Sequence, residues 1–286
     1  MEKFLYLGYD GRLYCHLHIA THCNYRCSYC YPKLHVNQQP KWTVDELQVL
    51  VDALNSIKRT KQIILCGLGE ITLMDGLLDF INQINAEYFS IVTNLSASVD
   101  YLMQLPEGMD IDCSFHPQHT SPEAFIEKVV ALSEKFVMKP RITLTDQNRD
   151  IVSSFISSIP HTDRIQPRVI YDYASSNTAG TLADVKPLFA RDGIAETKDT
   201  AVRNRDFSGM YCNTNNSTMI VSPDRTVTSC IYGNKGTSIF DFDFSKYDSV
   251  RPPVRCDQHA CDPCNIKDAK FKNIMDCVAY APRNFI

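Results

Sequence analysis

Thr21-His-Cys-Asn-Tyr-Arg-Cys-Ser-Tyr-Cys-Tyr31 is the stretch on which the reading of the whole chain turns. Cys23, Cys27 and Cys30 are spaced C-x3-C-x2-C, close enough for one loop to turn three thiolates toward one point. Thiolates are the ligands of iron–sulfur clusters, and a cubane of four irons takes four of them. Three leave one iron without a protein ligand, open to something else. Structural zinc is four-coordinate, and no fourth ligand stands at the usual local spacing, although His22 is adjacent. A disulfide framework belongs to secreted chains, and the opening Met-Glu-Lys starts no long apolar stretch.

Outward from this run, short apolar strands alternate with amphipathic helices. Leu13 to Ala20 reads as a strand leading straight into the cysteines. Thr43-Val-Asp-Glu46 is a capping box opening a helix through Leu47, Leu50, Val51 and Leu54. Further strands are predicted at Gln62–Cys66, Ser90–Thr93, Asp110–Phe115, Arg141–Thr145 and Arg168–Tyr173. Helices are predicted between them at Leu77–Ile84, near Val99–Leu105, from a Ser121 cap with Pro122 first to about Phe136, and at Asp150–Ile159. Strands and helices in such alternation give βα units and a parallel sheet, with right-handed crossovers that keep the helices on one side as the sheet curls.

The cysteine run, with Asn24 after the first cysteine and Tyr29 before the last, resembles that of the radical SAM enzymes. The resemblance implies a [4Fe–4S] cluster whose open iron is chelated by the amino and carboxylate groups of S-adenosylmethionine. An electron from the cluster then cleaves the sulfonium, and the released 5′-deoxyadenosyl radical takes a hydrogen atom from a substrate. Six βα units likewise resemble the partial (β/α)6 TIM-like barrel of that family. The alternation alone also permits an open doubly wound sheet.

Chemistry in parallel α/β folds gathers in the loops at the C-terminal strand ends, and polar residues stand there one after another. Gly67-Leu68-Gly69-Glu70 is similar to the family's Gly-Gly-Glu-Pro element, with Leu68 and Ile71 as departures. Glycine lets a backbone approach a ligand closely, and the carboxylate accepts hydrogen bonds from an ammonium group. The resemblance gives Gly69 and Glu70 the methionine amino group, Asn94 and Ser114 polar contacts to the cofactor, and Arg141 its carboxylate; Tyr29 joins them from the cysteine run. His116 and His119 read as solvated loop histidines, with a base or a substrate contact as the alternative. Cys15, Cys66 and Cys113 sit on strands as small buried hydrophobes, with Cys66 and Cys113 near the rim.

A second constellation lies in the last quarter: Cys212, Cys230, Cys256, Cys261, Cys264 and Cys277. Met219 to Ser229 reads as a β-hairpin turning at Pro223-Asp224, which brings Cys212 and Cys230 together; Cys261-x2-Cys264 completes a four-thiolate set. The pattern is similar to the twitch or SPASM appendage of radical SAM enzymes. It implies one auxiliary [4Fe–4S] cluster on Cys212, Cys230, Cys261 and Cys264, with Cys256 as a substitute ligand and Cys256 or Cys277 as hydrogen-atom donors. Arg225 departs from a Gly of that pattern. On spacing alone a four-cysteine zinc site fits as well. The domain reading is a barrel over 1–175, a linker over 176–210 with room for one helix, and the auxiliary domain over 211–286.

Composition bounds the function. The 33 acidic and 29 basic residues give a net charge of −4, too mild for a nucleic-acid or membrane surface. No apolar run reaches the ~18 residues of a spanning helix. Twelve cysteines without a secretion signal predict a reducing, cytoplasmic setting. The expectation is therefore a radical SAM oxidoreductase or epimerase, served by a reductant such as flavodoxin or ferredoxin. The motif begins after 22 residues, which favours a small polar metabolite, a sugar or aminocyclitol, over a ribosomal peptide. A non-catalytic iron–sulfur electron carrier is the rival outside enzymology.

Overall fold

Strand β1 (Leu13–Ala20) buries Leu13, Cys15, Leu17 and Ile19, while Tyr14, His16 and His18 between them stay half-buried. This period of two assigns its faces: odd positions toward a helical layer, even positions toward the opposite side. The computed structural model describes residues 12–30, 37–144, 148–160, 162–171, 195–197, 211–212, 214–230, 236–249, 254–255 and 270–271.

After β1 come α1 (Val44–Ser56), β2 (Lys61–Gly67), α2 (Leu77–Gln83), β3 (Tyr88–Thr93) and α3 (Val99–Leu102). β4 (Asp110–Phe115), α4 (Pro122–Leu132), β5 (Val137–Leu144), α5 (Arg149–Ser158), β6 (Arg168–Tyr171) and β7 (Ala195–Thr197) continue the series. Strands β1 to β7 lie side by side in chain order, all parallel. A doubly wound sheet reverses its strand order at a switch point; this one does not. Phe115 of β4 meets Phe125 of α4 and Phe155 of α5 with ring centroids 5.2 and 4.6 Å apart, so both helices cover the same face.

Local chemistry sets the helix starts as predicted. The Thr43 hydroxyl accepts from the Glu46 N–H at 3.2 Å, and Glu46 accepts from the Thr43 N–H at 2.8 Å. Ser121 caps α4 with Pro122 in its first turn; such caps contribute about 1 kcal/mol each. β5 begins at Val137, four residues ahead of the predicted Arg141, and runs through Pro140. The proline fits because the β5–β6 ladder is interrupted there, between the Met138–Ile165 bridge and the Arg141–Arg168 pair.

The other edge of the sheet comes from the last quarter of the chain. A two-residue strand β8 (Tyr211–Cys212) and a single helical turn α6 (Thr214–Ser217) lead into β9 (Thr218–Val221), which pairs parallel to β1. β10 (Thr226–Thr228) and β11 (Thr237–Ser238) continue antiparallel, giving ten strands in one sheet. The predicted hairpin is β9–β10, closed at Ser222–Arg225 by Arg225 N–H to Ser222 O at 3.0 Å and Ser222 N–H to Thr226 O at 2.8 Å. β12 (Val254–Arg255) and β13 (Lys270–Phe271) flank β8 in a separate small sheet. β7 lies within the stretch read as a linker, the rest of which is outside the described residues.

Arg225 has φ of +64°, the left-handed region that glycine adopts freely. Its side chain offsets the backbone strain. The guanidinium forks onto Glu46 at 2.8 and 2.9 Å, donates to the carbonyls of Pro40, Lys41 and Pro223, and lies 5.0 Å over the Trp42 ring. The pair ties the hairpin to the start of α1 and holds the Glu46 carboxyl down at about 2, first through the Arg225 bond. Among the described residues no helix is long and apolar enough to cross a membrane.

Candidate active site at the strand ends

The cysteine loop leaves β1 and is gripped from two sides. On one side the backbone beyond β2 runs beside it, with Leu68 N–H to Ala20 O at 2.8 Å and Glu70 N–H to His22 O at 2.7 Å. Gly67 and Gly69 make this approach possible: a Cβ on Gly69 would stand 2.1 Å from the His22 carbonyl oxygen, and one on Gly67 2.4 Å from that of Ala20. The glycines therefore admit the cysteine loop's own backbone, a reason for them that the sequence reading did not include.

Glu70 is only 2% exposed. One carboxylate oxygen accepts from the Thr72 N–H at 3.1 Å, the Thr72 hydroxyl at 2.7 Å and the Thr93 hydroxyl at 2.6 Å; the other accepts from the Asn94 N–H at 2.5 Å. This fixes the end of β3. From there the Asn94 amide donates to the Asn24 side chain at 3.0 Å and lies 3.9 Å from the Cys23 sulfur.

On the other side, the loop after β4 straps the cysteines down. His116 Nδ1 lies 2.9 Å from the Tyr29 hydroxyl and 3.3 Å from the Cys27 sulfur. The Gln118 amide exchanges two hydrogen bonds with Ser28, at 3.1 and 2.7 Å. His119 accepts from the Arg26 N–H at 3.3 Å and stacks on Tyr25 at 4.1 Å. Burial pushes His116 down to about 4, with His119 and Arg141 adding, so it is neutral at physiological pH. Both histidines are thus engaged with the loop, where the sequence reading left them to solvent. The signal available was the position of His116, one residue past the end of β4.

The donor set suits a polynuclear iron group. Burial raises the Cys23 and Cys27 thiols, and with the neighbouring cysteines adding it brings Cys27 to about 11. Three such thiolates need cations among them. The Tyr25 N–H already points at the Cys23 sulfur at 3.4 Å, as a thiolate ligand favours. Cys23, Cys27 and Cys30 are outside any disulfide. Among the described residues no three His, Cys, Asp or Glu side chains close on a point that would hold a single metal ion; in a cubane each thiolate takes its own iron, so that convergence is not required.

Ser114 and Arg141 are register partners across β4 and β5, and the Arg141 Nε donates to the Ser114 hydroxyl at 3.1 Å. With Asn94, the residue after β3, they share one level across successive strands, Arg141 standing three residues before the end of β5. The auxiliary set is dispersed differently. Cys212 is in β8. Cys230 follows β10, and since Thr228 is level with Ile220 and thus with His16, Cys230 falls toward the N-terminal end of β1, opposite the cysteine loop. Cys256, Cys261, Cys264 and Cys277 lie outside the described residues.

The even-numbered face of β1 carries residues the sequence reading passed over. Register places His18 and Cys66 on one tier of that face, with Val92, Asp112 and Lys139 continuing it one step past the Leu65–Ile91 pair. His16, Ile64, Ser90 and Asp110 form the tier below. Burial pushes His16 down to about 4, with His18 adding, and lowers His18 as well. Burial also pushes the Cys66 thiol up to about 12 against the pull of Arg141. The alternation Tyr14, His16, His18 against Leu13, Cys15, Leu17 was the signal for this wall.

The fold is that of the radical SAM enzymes. Tagged anSMEcpe with bound AdoMet superposes with a TM-score of 0.57 at 15% identity, covering 84% of this chain and 80% of that one. SuiB of Streptococcus suis bound to S-adenosylmethionine gives 0.54 at 14% identity over 81% of this chain; the match spans 64% of SuiB. BtrN in complex with AdoMet and 2-DOIA aligns over 92% of this chain and 96% of its own at 0.41 and 15% identity, too loose a likeness to bear on function. No family model matches the chain, and no curated protein matches it in sequence.

Proposed function

We propose that the chain is a radical SAM enzyme that removes a hydrogen atom from a small polar metabolite, a sugar or aminocyclitol, in an oxidation or an epimerisation. The observation that carries this reading is the clamped loop of Cys23, Cys27 and Cys30 at the end of β1, in a fold shared with proteins solved with S-adenosylmethionine bound. When bound, a [4Fe–4S] cluster open at one iron supplies the electron that cleaves S-adenosylmethionine. The three cysteines hold that group. Asn94, Ser114 and Arg141 line the strand ends where the cofactor lies, Gly69 keeps the loop against β2, and Glu70 aligns Asn94; Tyr29 steadies the loop through His116. The even-numbered sheet face, read as the inside of a partial (β/α)6 barrel, receives the substrate and excludes water.

In this proposal residues 211–286 form a twitch or SPASM-like domain with one auxiliary [4Fe–4S] cluster on Cys212, Cys230, Cys261 and Cys264, and a flavodoxin or ferredoxin supplies electrons. Polar His16, His18 and Asp112 on the sheet face support a metabolite. A peptide is the second reading, favoured by anSMEcpe having been solved with AdoMet and a Cp18Cys peptide at a TM-score of 0.53. The test is anaerobic reconstitution, counting iron and sulfide, and detection of 5′-deoxyadenosine after adding S-adenosylmethionine and dithionite. About eight irons per chain with 5′-deoxyadenosine formed is the expected result; iron without cleavage would leave an electron carrier.

A further inference from the structure

His116 Nδ1 lies 3.3 Å from the Cys27 sulfur and 2.9 Å from the Tyr29 hydroxyl. Which way the hydrogens run decides what this contact does. If Tyr29 donated to a bare Nδ1, the nitrogen would turn a lone pair toward the sulfur. A thiol tolerates that, because its own S–H can donate. A thiolate does not: it carries no hydrogen, and two acceptors would face each other at 3.3 Å. Cluster ligation makes Cys27 a thiolate. It therefore requires the hydrogen on Nδ1, in the neutral ring and the imidazolium alike, and the Tyr29 oxygen takes a share of it at 2.9 Å.

This donor is held in place by its surroundings. His116 follows the last residue of β4, and Pro117 after it biases its backbone toward the extended region. The His116 carbonyl accepts from the His119 and Thr120 N–H groups at 2.9 and 3.2 Å. Its ring lies 14° from the plane of Tyr29 and stands edge-on to Tyr25 at 82°. Cys23 is served at longer range, by the Tyr25 N–H at 3.4 Å and the Asn94 amide at 3.9 Å.

An electron added to an iron–sulfur cluster puts further negative charge on its sulfurs. An N–H fixed against one of them then stabilises the reduced form more than the oxidised one. We infer that His116 sets the reduction potential of the cluster, raising it through the Nδ1–H bond to Cys27 so that a milder one-electron reductant suffices. His116 acts on the cluster through Cys27, as a positioning residue and not a catalytic one. The inference rests on the radical SAM reading for the presence of the cluster, and not for the fate of S-adenosylmethionine.

The experiment is a dithionite redox titration of the anaerobically reconstituted protein without S-adenosylmethionine, read by the electron paramagnetic resonance of the singly reduced cluster. The signal that disappears in Cys27→Ala marks the cluster of this loop. His116→Phe keeps a ring beside Tyr25 and Tyr29 but no N–H, while Gln118→Ala loosens the same strap at Ser28 and keeps the donor. His116→Phe should be harder to reduce by about tenfold in the equilibrium constant, roughly 59 mV for one electron. Gln118→Ala should reduce as the wild type does. In wild type carrying nitrogen-15 histidine, the spin-echo modulation of the same signal should show a weakly coupled imidazole nitrogen. A His116→Phe potential equal to or above that of the wild type, an equal shift in Gln118→Ala, or no histidine nitrogen coupled in the wild type would each overturn the assignment. Formation of 5′-deoxyadenosine by the wild type is scored separately. Its absence would remove the radical reading while the potentials stand on their own; a chain that takes up no cluster on this loop would end both.

Discussion

Gly69 and His22 occupy a space with no room for a side chain, the Gly69 Cα facing the His22 carbonyl so closely that an added Cβ would lie 2.1 Å from its oxygen. Gly69→Ala must push the cysteine loop away from β2 or break the Glu70 N–H to His22 O bond. The expected result is a loss of about 1–3 kcal/mol in chemical denaturation. A reduced iron content per chain after reconstitution should accompany it.

Glu70→Gln replaces an oxygen with an amide NH2 among donors from Thr72, Thr93 and Asn94. One acceptor is lost and one donor is left facing a donor, a cost of about 2–3 kcal/mol. Weaker S-adenosylmethionine binding should appear together with this loss of stability, because Glu70 also aligns Asn94. Titration calorimetry alongside urea unfolding would separate the two; weakened binding at unchanged stability would contradict the bracing role.

His116→Ala removes the partner of Tyr29 and the neighbour of the Cys27 sulfur. At about 1–2 kcal/mol for the lost contacts, cluster loss to a chelator should quicken roughly 5- to 30-fold. His116→Asn, with an amide oxygen near the place of Nδ1, should restore part of the retention. Bleaching of the cluster absorbance in the presence of the chelator gives the rate.

His16 gives the fold an acid dependence. Its ordinary value is 6.5 and burial holds it near 4, so the unfolded chain takes up a proton first as pH falls. Its contribution is complete above about pH 6.5 and is lost progressively down to about pH 4, worth roughly 3 kcal/mol at most. Urea midpoints of the wild type should drop across that window, and His16→Gln should flatten the drop.

Arg225→Gly relieves the left-handed backbone but removes the fork on Glu46 and the cover over Trp42. The losses outweigh the relief, leaving a net destabilisation of about 1–2 kcal/mol. A cycle with Glu46→Gln should show coupling between the two positions. That coupling holds above the ordinary carboxylate range and fades as pH falls toward 2, where Glu46 protonates in the folded protein. A loss in the double variant equal to the sum of the two single losses would deny the link.

The parallel core was legible because hydrophobic periodicity and caps are local. Thr43 with Glu46 and Ser121 with Pro122 announce helices within four residues, and six strands were placed in their order, β5 alone four residues late at its start. What escaped the sequence depends on partners far along the chain. The start of β5 at Val137 and its run through Pro140 were missed, since no local signal shows where the β6 ladder is interrupted. Gly69 read as room for a ligand because His22 is its neighbour only in three dimensions. Arg225 read as a departure from a glycine pattern, yet its φ is one that glycine favours, and the ion pair that holds it there comes from Glu46. His116 has its surroundings set by the cysteine loop after β1, and Asp112 by β3 and β5.

The pairing of β1 with β9 joins Tyr14 to Thr218, partners separated by roughly 200 residues, among the least local contacts a chain of this size can make. During synthesis β1 can pair with β2 as soon as residue 67 has emerged, but its other edge waits for the final quarter. An unpaired strand edge next to buried Cys15 and Leu17 is a template for intermolecular addition. The vulnerable period in the life of this protein is therefore its own translation, and slow elongation before residue 218 should send more of it into aggregates than slow elongation after.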